Sequence, residues 1–280
     1  MGVATHYCRF YSIQYNCFYF LRHIDSNHKL VSYRFVYHGC IDGFSRKIIY
    51  LGVAQDNTSR TVFRLFHDAS QIDGVPSRVR ADRGTENVLV ARFMIESRGM
   101  DRASFLSGRS VHNQRIERLW SDVNRIVTAP FKRLFNSMKD LGFLDEHDEV
   151  DLYSLAFVFL PRIRTSAESF KESWNNHRLR TERHRTPLQL WTNGFLAGLG
   201  PQQLPQTVSP EDIINYEGGD DIVTNNNVIV PRTNIQLTIE QTAQLQNLVP
   251  DPLAEDDNFG VQHYLLIRNQ LRIFLQNNVW

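Results

Sequence analysis

The sequence predicts a mixed α/β fold in which a five-stranded sheet is flanked by helices. Runs rich in β-branched and aromatic residues come first, stretches with helical spacing follow, and Asp-Gly and Gly-Val-Pro turn signals separate them. The strand candidates are Leu21–Ser26, Tyr33–Ile41 and Lys47–Val53, with Asp42-Gly43 as a hairpin marker between the second and third. The first two read as a hairpin turning near His28–Leu30, which sets Asp25 opposite position 33. A helix follows from Thr58 to Gln71, where Val62, Leu65, Phe66 and Ala69 recur on one face. Gly74-Val75-Pro76 ends it, and Ser77–Ala81 is a short strand running into Asp82. Asn87–Ser97 is helical, Arg102–Leu106 is a fifth strand, and Gln114–Val127 is an amphipathic helix. Tyr153–Trp174 is a long helix in which Pro161 predicts a kink or a split, because proline lacks the N–H of the helical ladder.

That order of elements is the order of a ribonuclease-H-like fold, with three antiparallel strands extended by parallel ones. It occupies residues 21–194. Residues 1–20 have no clear period, and Arg9, Gln14 and Asn16 interrupt any signal-peptide core. After 194, Gly198, Gly200, Pro201, Pro205 and Pro210 mark a linker. Residues 195–280 then read as a small acidic accessory module, with a strand candidate at Asn227–Val230 and helices near Thr238–Leu248 and Tyr264–Leu275.

The near-neutral total charge of +1 conceals an asymmetry, +8 over residues 1–194 and −7 over residues 195–280. A basic body of this kind suits a polyanionic partner. No run approaches the roughly 18 apolar residues of a membrane span, so no membrane is expected as a partner. Cys8, Cys17 and Cys40 are odd in number and lack metal-ligand spacing, which fits a reducing compartment rather than a disulfide framework.

The chemistry lies in three acidic residues. Asp25 sits within the first strand, in His-Ile-Asp-Ser-Asn-His-Lys-Leu. Asp82 opens Asp-Arg-Gly-Thr-Glu-Asn directly after a strand, with 56 residues between it and Asp25. Glu117 comes after another 34 residues, one turn into a helix, in Ser-Val-His-Asn-Gln-Arg-Ile-Glu-Arg-Leu-Trp. Around them lie Ile41-Asp42-Gly43-Phe44-Ser45-Arg46, Gly74-Val75-Pro76 leading to Asp82-Arg83-Gly84, and Trp174-Asn175-Asn176-His177 followed by Thr186-Pro187-Leu188-Gln189-Leu190.

In these segments, taken in order from about Leu21 to Trp191, the chain resembles the catalytic core of retroviral and retrotransposon integrases and related cut-and-paste transposases. The resemblance implies that Asp25, Asp82 and Glu117 are both the catalytic residues and the ligands of two Mg²⁺ ions, with Mn²⁺ as a substitute. It also implies cleavage near a DNA end, joining of the freed 3′-hydroxyl to target DNA, action as a homo-oligomer, and, from the substrate, a nuclear location. Two positions depart from the family pattern. Arg22 stands where an aromatic usually precedes the first Asp, and Gln114 stands where Gly is common. A non-catalytic DNA-binding or interaction protein that keeps the fold is the alternative.

Asp42 competes with Asp25 for the role of first carboxylate. With the hairpin turning near His28–Leu30, Asp42 lies about nine residues along from the partner of Asp25, roughly 30 Å away, and its expected role is to cap the Asp-Gly hairpin. Ser121, Asn124 and Arg125 follow Glu117 near its helical face, and Arg115 and Arg118 flank it. All five are candidate DNA contacts. The cluster Arg178, Arg180, Arg183, His184 and Arg185 reads either as a phosphate track or as a solvated charge run. Glu86 and Asn87 are expected to shape the loop after Asp82 or cap the next helix rather than bind metal, and His28 and His112 to be structural rather than to position substrate or water.

Overall fold

A computed structural model describes residues 21–99, 103–107, 114–196, 228–231 and 233–277. Its sheet has the strands β1 (Leu21–Leu30), β2 (Phe35–Asp42), β3 (Ile48–Ala54), β4 (Arg78–Ala81) and β5 (Phe105–Ser107), in the order β3-β2-β1-β4-β5. The first three are antiparallel, and β4 and β5 extend the sheet in parallel. This is the ribonuclease-H-like arrangement. Helices α1 (Ser59–Asp73) and α2 (Val88–Arg98) cover one face, and α3 (Gln114–Val123), α4 (Ala129–Asp140) and α5 (Glu149–Asn176) cover the other. Three further helices follow, α6 (Pro187–Gly194), α7 (Ile239–Leu248) and α8 (Val261–Asn277).

Each face carries its own core, because strand side chains alternate. Ile24, Cys40 and Val79 point toward Phe63 and Phe66 of α1 and Phe93 of α2. Tyr37, Ile41 and Leu51 point toward Ile116, Trp120, Phe135 and Phe159. Tyr264, Ile267 and Leu271 of α8 belong to this second cluster, so the described C-terminal helices share a core with α5. Residues 1–20 and the Gly/Pro linker lie outside the described residues, and 228–230 form no strand.

Three expectations change. The first strand continues through the polar run Ser26-Asn27-His28-Lys29 to Leu30, and the reversal is a 3₁₀ turn at Val31–Tyr33 closed by Arg34 in the left-handed region (φ 61°). Asp25 therefore pairs with Gly39 rather than residue 33. Asp42 is then three residues from that partner, about 10 Å along the strand rather than 30 Å.

Pro161 does not split α5, which runs unbroken for 28 residues. Val158, Phe159, Ile163 and Ala167, on either side of the proline, are buried in one cluster, which anchors both halves to the same core. Third, the catalytic-helix candidate does not stop at Val127. It passes through a π-helical turn at Asn124–Thr128 into α4. A widened turn suits the position, since Pro130 offers no N–H and its ring would crowd the carbonyl four residues back.

Two contacts fix the far end of the sheet. The Asn175 carboxamide at the end of α5 accepts from the Ile48 N–H at 2.8 Å and donates to the Ile48 carbonyl at 3.0 Å, continuing the β3 edge with a side chain. Arg34 binds both carboxylate oxygens of Glu149, which also accepts from Thr233. The guanidinium holds the Glu149 carboxyl down at about 2. A depressed carboxyl pKa stabilises the fold above the ordinary value of 4.5, and that contribution disappears as pH falls toward about 2. Glu149→Gln is expected to leave a shallower acid limb in urea-unfolding midpoints taken across this window, and an unchanged limb would count against the pair.

Candidate functional site

β1 and β4 set the site. Their parallel register matches Arg22 with Val79 and His23 with Arg80, so two further steps bring Asp25 level with Asp82, immediately beyond the last residue of β4. Asp25 lies on the face of β1 covered by α3. There the Trp120 indole Nε1 donates to Asp25 Oδ2 at 2.8 Å. Gly39, directly across the strand pair from Asp25, makes room for that ring. A Cβ at Gly39 would stand 2.7 Å from Trp120 Cη2. Two residues along the same face, Asn27 Nδ2 donates to Asn124 Oδ1 at 3.0 Å. Two hydrogen bonds thus fasten the helix along the strand, and Glu117 stands one turn before Trp120 on that helix, exposed to solvent.

The electrostatics identify what surrounds Asp25. Its carboxyl is pushed up to about 6 by burial and by the negative charges of Asp82 and Glu86, against the opposing pull of the Trp120 hydrogen bond. Glu86 is itself raised by burial and by Asp82. The His28 imidazole is lowered by burial and opposed by the charge of Asp82. Asp82 Oδ1 accepts from Asn87 Nδ2 at 3.0 Å.

Sequence reasoning gave Glu86 only a loop role, but it is 8% exposed and within electrostatic range of both aspartates. Its signal was the spacing Asp-Arg-Gly-Thr-Glu. Gly84 lets the Glu86 carboxylate fold back over the chain, where a Cβ would meet Oε1 at 2.2 Å.

Asp42 points to the opposite face of the sheet, the side of Cys40 and Arg22. Its Oδ2 accepts from the Phe44 and Ser45 backbone N–H groups and from Ser45 Oγ, closing the hairpin turn. The departure at Arg22 also has a structural account. Its side chain is buried, donates to the Asp73 carbonyl at 2.9 Å and lies over the Trp191 ring.

The remaining candidates separate. Arg118 and Ser121 are exposed on α3. Asn124 is engaged with Asn27, and Arg125 pairs with Asp122 at 2.9 Å. Arg115 lies within range of the charges of Arg46 and Glu182. His112 lies outside the described residues.

The family model for the integrase core domain matches residues 11–204. The chain belongs to the integrase core domain family. Integrase core domains are polynucleotidyl transferases. Among solved structures, this integrase core is similar to the HTLV-2 integrase catalytic core domain in complex with magnesium, in its trimeric form. The identity is 16%, over 61% of this chain and 95% of that one, with a TM-score of 0.40. It is also similar to a chain of the simian T-cell lymphotropic virus intasome in complex with PP2A regulatory subunit B56 gamma. There the identity is 15%, over 69% of this chain and 59% of that one, with a TM-score of 0.41. A comparison with curated proteins returned no significant match.

The donors of this integrase core suit a hard divalent cation at Asp25 and Asp82. They are carboxylate oxygens, close enough that the Asp82 charge adds to the burial that raises Asp25, and each accepts from a neutral donor, the Trp120 indole or the Asn87 amide. Among the described residues no three His, Cys, Asp or Glu side chains are grouped closely enough to hold a metal ion, and Glu117 remains outside the pair. No described helix is long and apolar enough to cross a membrane.

Proposed function

We propose that this chain is a Mg²⁺-dependent DNA strand transferase that cleaves near a DNA end and joins the 3′-hydroxyl to target DNA. One observation carries the reading: Asp25 and Asp82, with 56 residues between them, stand level on neighbouring strands within range of one another's charge, beside the helix that bears Glu117. Asp25 and Asp82 would hold the metal, Glu117 would complete the set by closing on them from its exposed position on α3, and Mn²⁺ would serve as a substitute. When bound, the divalent metal supplies activation of the attacking oxygen and neutralisation of charge at phosphorus.

The protein's own groups position that chemistry. Trp120 fixes the Asp25 carboxylate through Oδ2, Asn87 fixes Asp82 through Oδ1, and the helix-to-strand bonds hold α3 alongside. In the first step a water oxygen bonds to phosphorus and the bond from phosphorus to the 3′-oxygen of the retained element strand breaks, so that strand takes a proton and keeps a free 3′-hydroxyl while the released fragment leaves with a 5′-phosphate. In the second, that 3′-oxygen bonds to a target phosphorus and displaces the target's own 3′-oxygen. The reading assigns this chemistry to residues 21–194, with 195–280 as an accessory region, action as a homo-oligomer on DNA ends and a nuclear location that follows from the substrate.

The exposure of Glu117 outside the aspartate pair favours one alternative, a DNA-binding protein that retains the fold without the chemistry. A strand-transfer assay with Mg²⁺ or Mn²⁺ separates the two. Joined product is expected from the unaltered chain and only with metal, and Glu117→Gln is expected to reduce it to the metal-free background. Equal product from both proteins, or product without metal, defeats the proposal. DNA binding with no joining by the unaltered chain supports the alternative.

A further inference from the structure

We infer that the loop spanning residues 178–185 is a preformed contact for the phosphate backbone of duplex DNA, lying beside the N-terminal end of the helix that carries Glu117. Arg178, Arg180, Arg183, His184 and Arg185 are all exposed, within eight consecutive positions. The single carboxylate among them, Glu182, is occupied. Arg46 Nη2 donates to its Oε1 at 3.2 Å, while Arg46 Nη1 donates to Thr181 Oγ1 at 3.2 Å. The surface therefore presents four guanidinium groups with little local compensation.

The loop is also built rather than loose. The Leu179 N–H donates to the Arg185 carbonyl at 3.0 Å and the His184 N–H donates to the Leu179 carbonyl at 3.0 Å, so the chain returns on itself around Leu179, which is buried. Arg183 and His184 take left-handed backbone angles (φ 55° and 59°) to make that return. Thr186 then begins α6 with a reciprocal capping box to Gln189. Arg46, which grips the loop, is itself held, since its carbonyl accepts from Trp174 Nε1 at 2.8 Å. A surface ordered in advance loses little conformational entropy when a ligand binds.

Position decides the partner. Arg46, which bonds the loop at Thr181 and Glu182, stands in the turn that ends β2, the strand whose Gly39 faces Asp25, and Arg115, two residues before Glu117, is within range of the charges of both Arg46 and Glu182. Arg118, the residue after Glu117, is exposed as well. Planar guanidinium forks suit phosphate oxygens, and a duplex offers a charge about every 1.7 Å of its axis. The choice of DNA over another polyanion rests on the strand-transferase reading of the adjacent site.

The test is fluorescence anisotropy of a labelled duplex across a salt series, without divalent metal, using the full chain carrying Glu117→Gln. Adding Arg178→Gln, Arg180→Gln and Arg183→Gln together is expected to weaken binding by about 10- to 100-fold near physiological salt and to reduce the log–log salt slope by about 2–3. Lysine at the same three positions is expected to restore most of the slope. Unchanged affinity and slope overturn the inference and indicate a solvated charge run. So does an absence of duplex binding by the parent, or a loss seen with polyglutamate but not with the duplex. The two readings fail separately. Joining activity with an unaltered salt slope defeats only the loop, and a reduced slope in a chain that never joins DNA defeats only the strand transferase.

Discussion

Asp151→Ala is expected to destabilise the protein by about 3–5 kcal/mol, the cost of stranding a buried charge. Asp151 is fully buried on α5, and both of its carboxylate oxygens are in use. Oδ1 accepts from Arg268 Nε at 2.6 Å and from Arg272 Nη2 at 3.3 Å, while Oδ2 accepts from the Asp145 backbone N–H at 2.9 Å. Arg272 also reaches Asp148, so it keeps a partner after the substitution. Among the described residues Arg268 pairs with no carboxylate other than Asp151, and its side chain is only 14% exposed, so its charge carries most of the penalty.

The variant also reports on architecture. Arg268 lies on α8 and Asp151 on α5, so the pair joins the C-terminal helices to the body of the fold. Urea unfolding should show a lower midpoint and one cooperative transition. The double variant Asp151→Leu, Arg268→Met should regain much of the loss, because a matched apolar pair abandons no charge. A loss below about 1 kcal/mol from the single variant would mean that the pair is effectively solvated.

How much of this was legible in the sequence depends on how local the determining contact is. The strand Arg78–Ala81 and the Asp that follows it were readable, because a Gly-Val-Pro break and a short β run are local signals. The sheet order followed from the sequence of elements. The length of β1 was not readable. Ser26-Asn27-His28-Lys29 has the polarity of a turn, and it stays in the strand because Ser26 bonds His38 and Asn27 bonds Asn124, 97 residues away. The π turn at Asn124–Thr128 and the burial of Arg22 beneath Trp191 likewise depend on distant partners. Glu86 escaped notice for another reason. Its burial depends on Gly84 letting the carboxylate fold over the backbone, and a glycine after Asp82 reads equally well as a plain turn.

The acidic pair is tied to the core through Gly39, and Gly39→Ala should expose that link. The new Cβ would sit 2.7 Å from Cη2 of Trp120, a ring that is 7% exposed and packed in the core, with Ile116 behind it. The ring must shift, and the shift draws Nε1 away from Asp25 Oδ2. Overpacking costs about 1–3 kcal/mol, and loss of a hydrogen bond to a charged group about 1.5–3 kcal/mol, so the expected destabilisation is roughly 3–5 kcal/mol. Trp120→Phe separates the two contributions, since it removes the N–H while keeping an aromatic ring on α3, and should show the hydrogen-bond share without the overpacking. A double-mutant cycle decides the mechanism. In a Trp120→Leu background the alanine at position 39 has no ring to displace, and its effect should shrink to a fraction of the original. If the two substitutions simply add, Gly39 acts through the backbone alone, and the Asp25 carboxylate owes its orientation to something other than the indole.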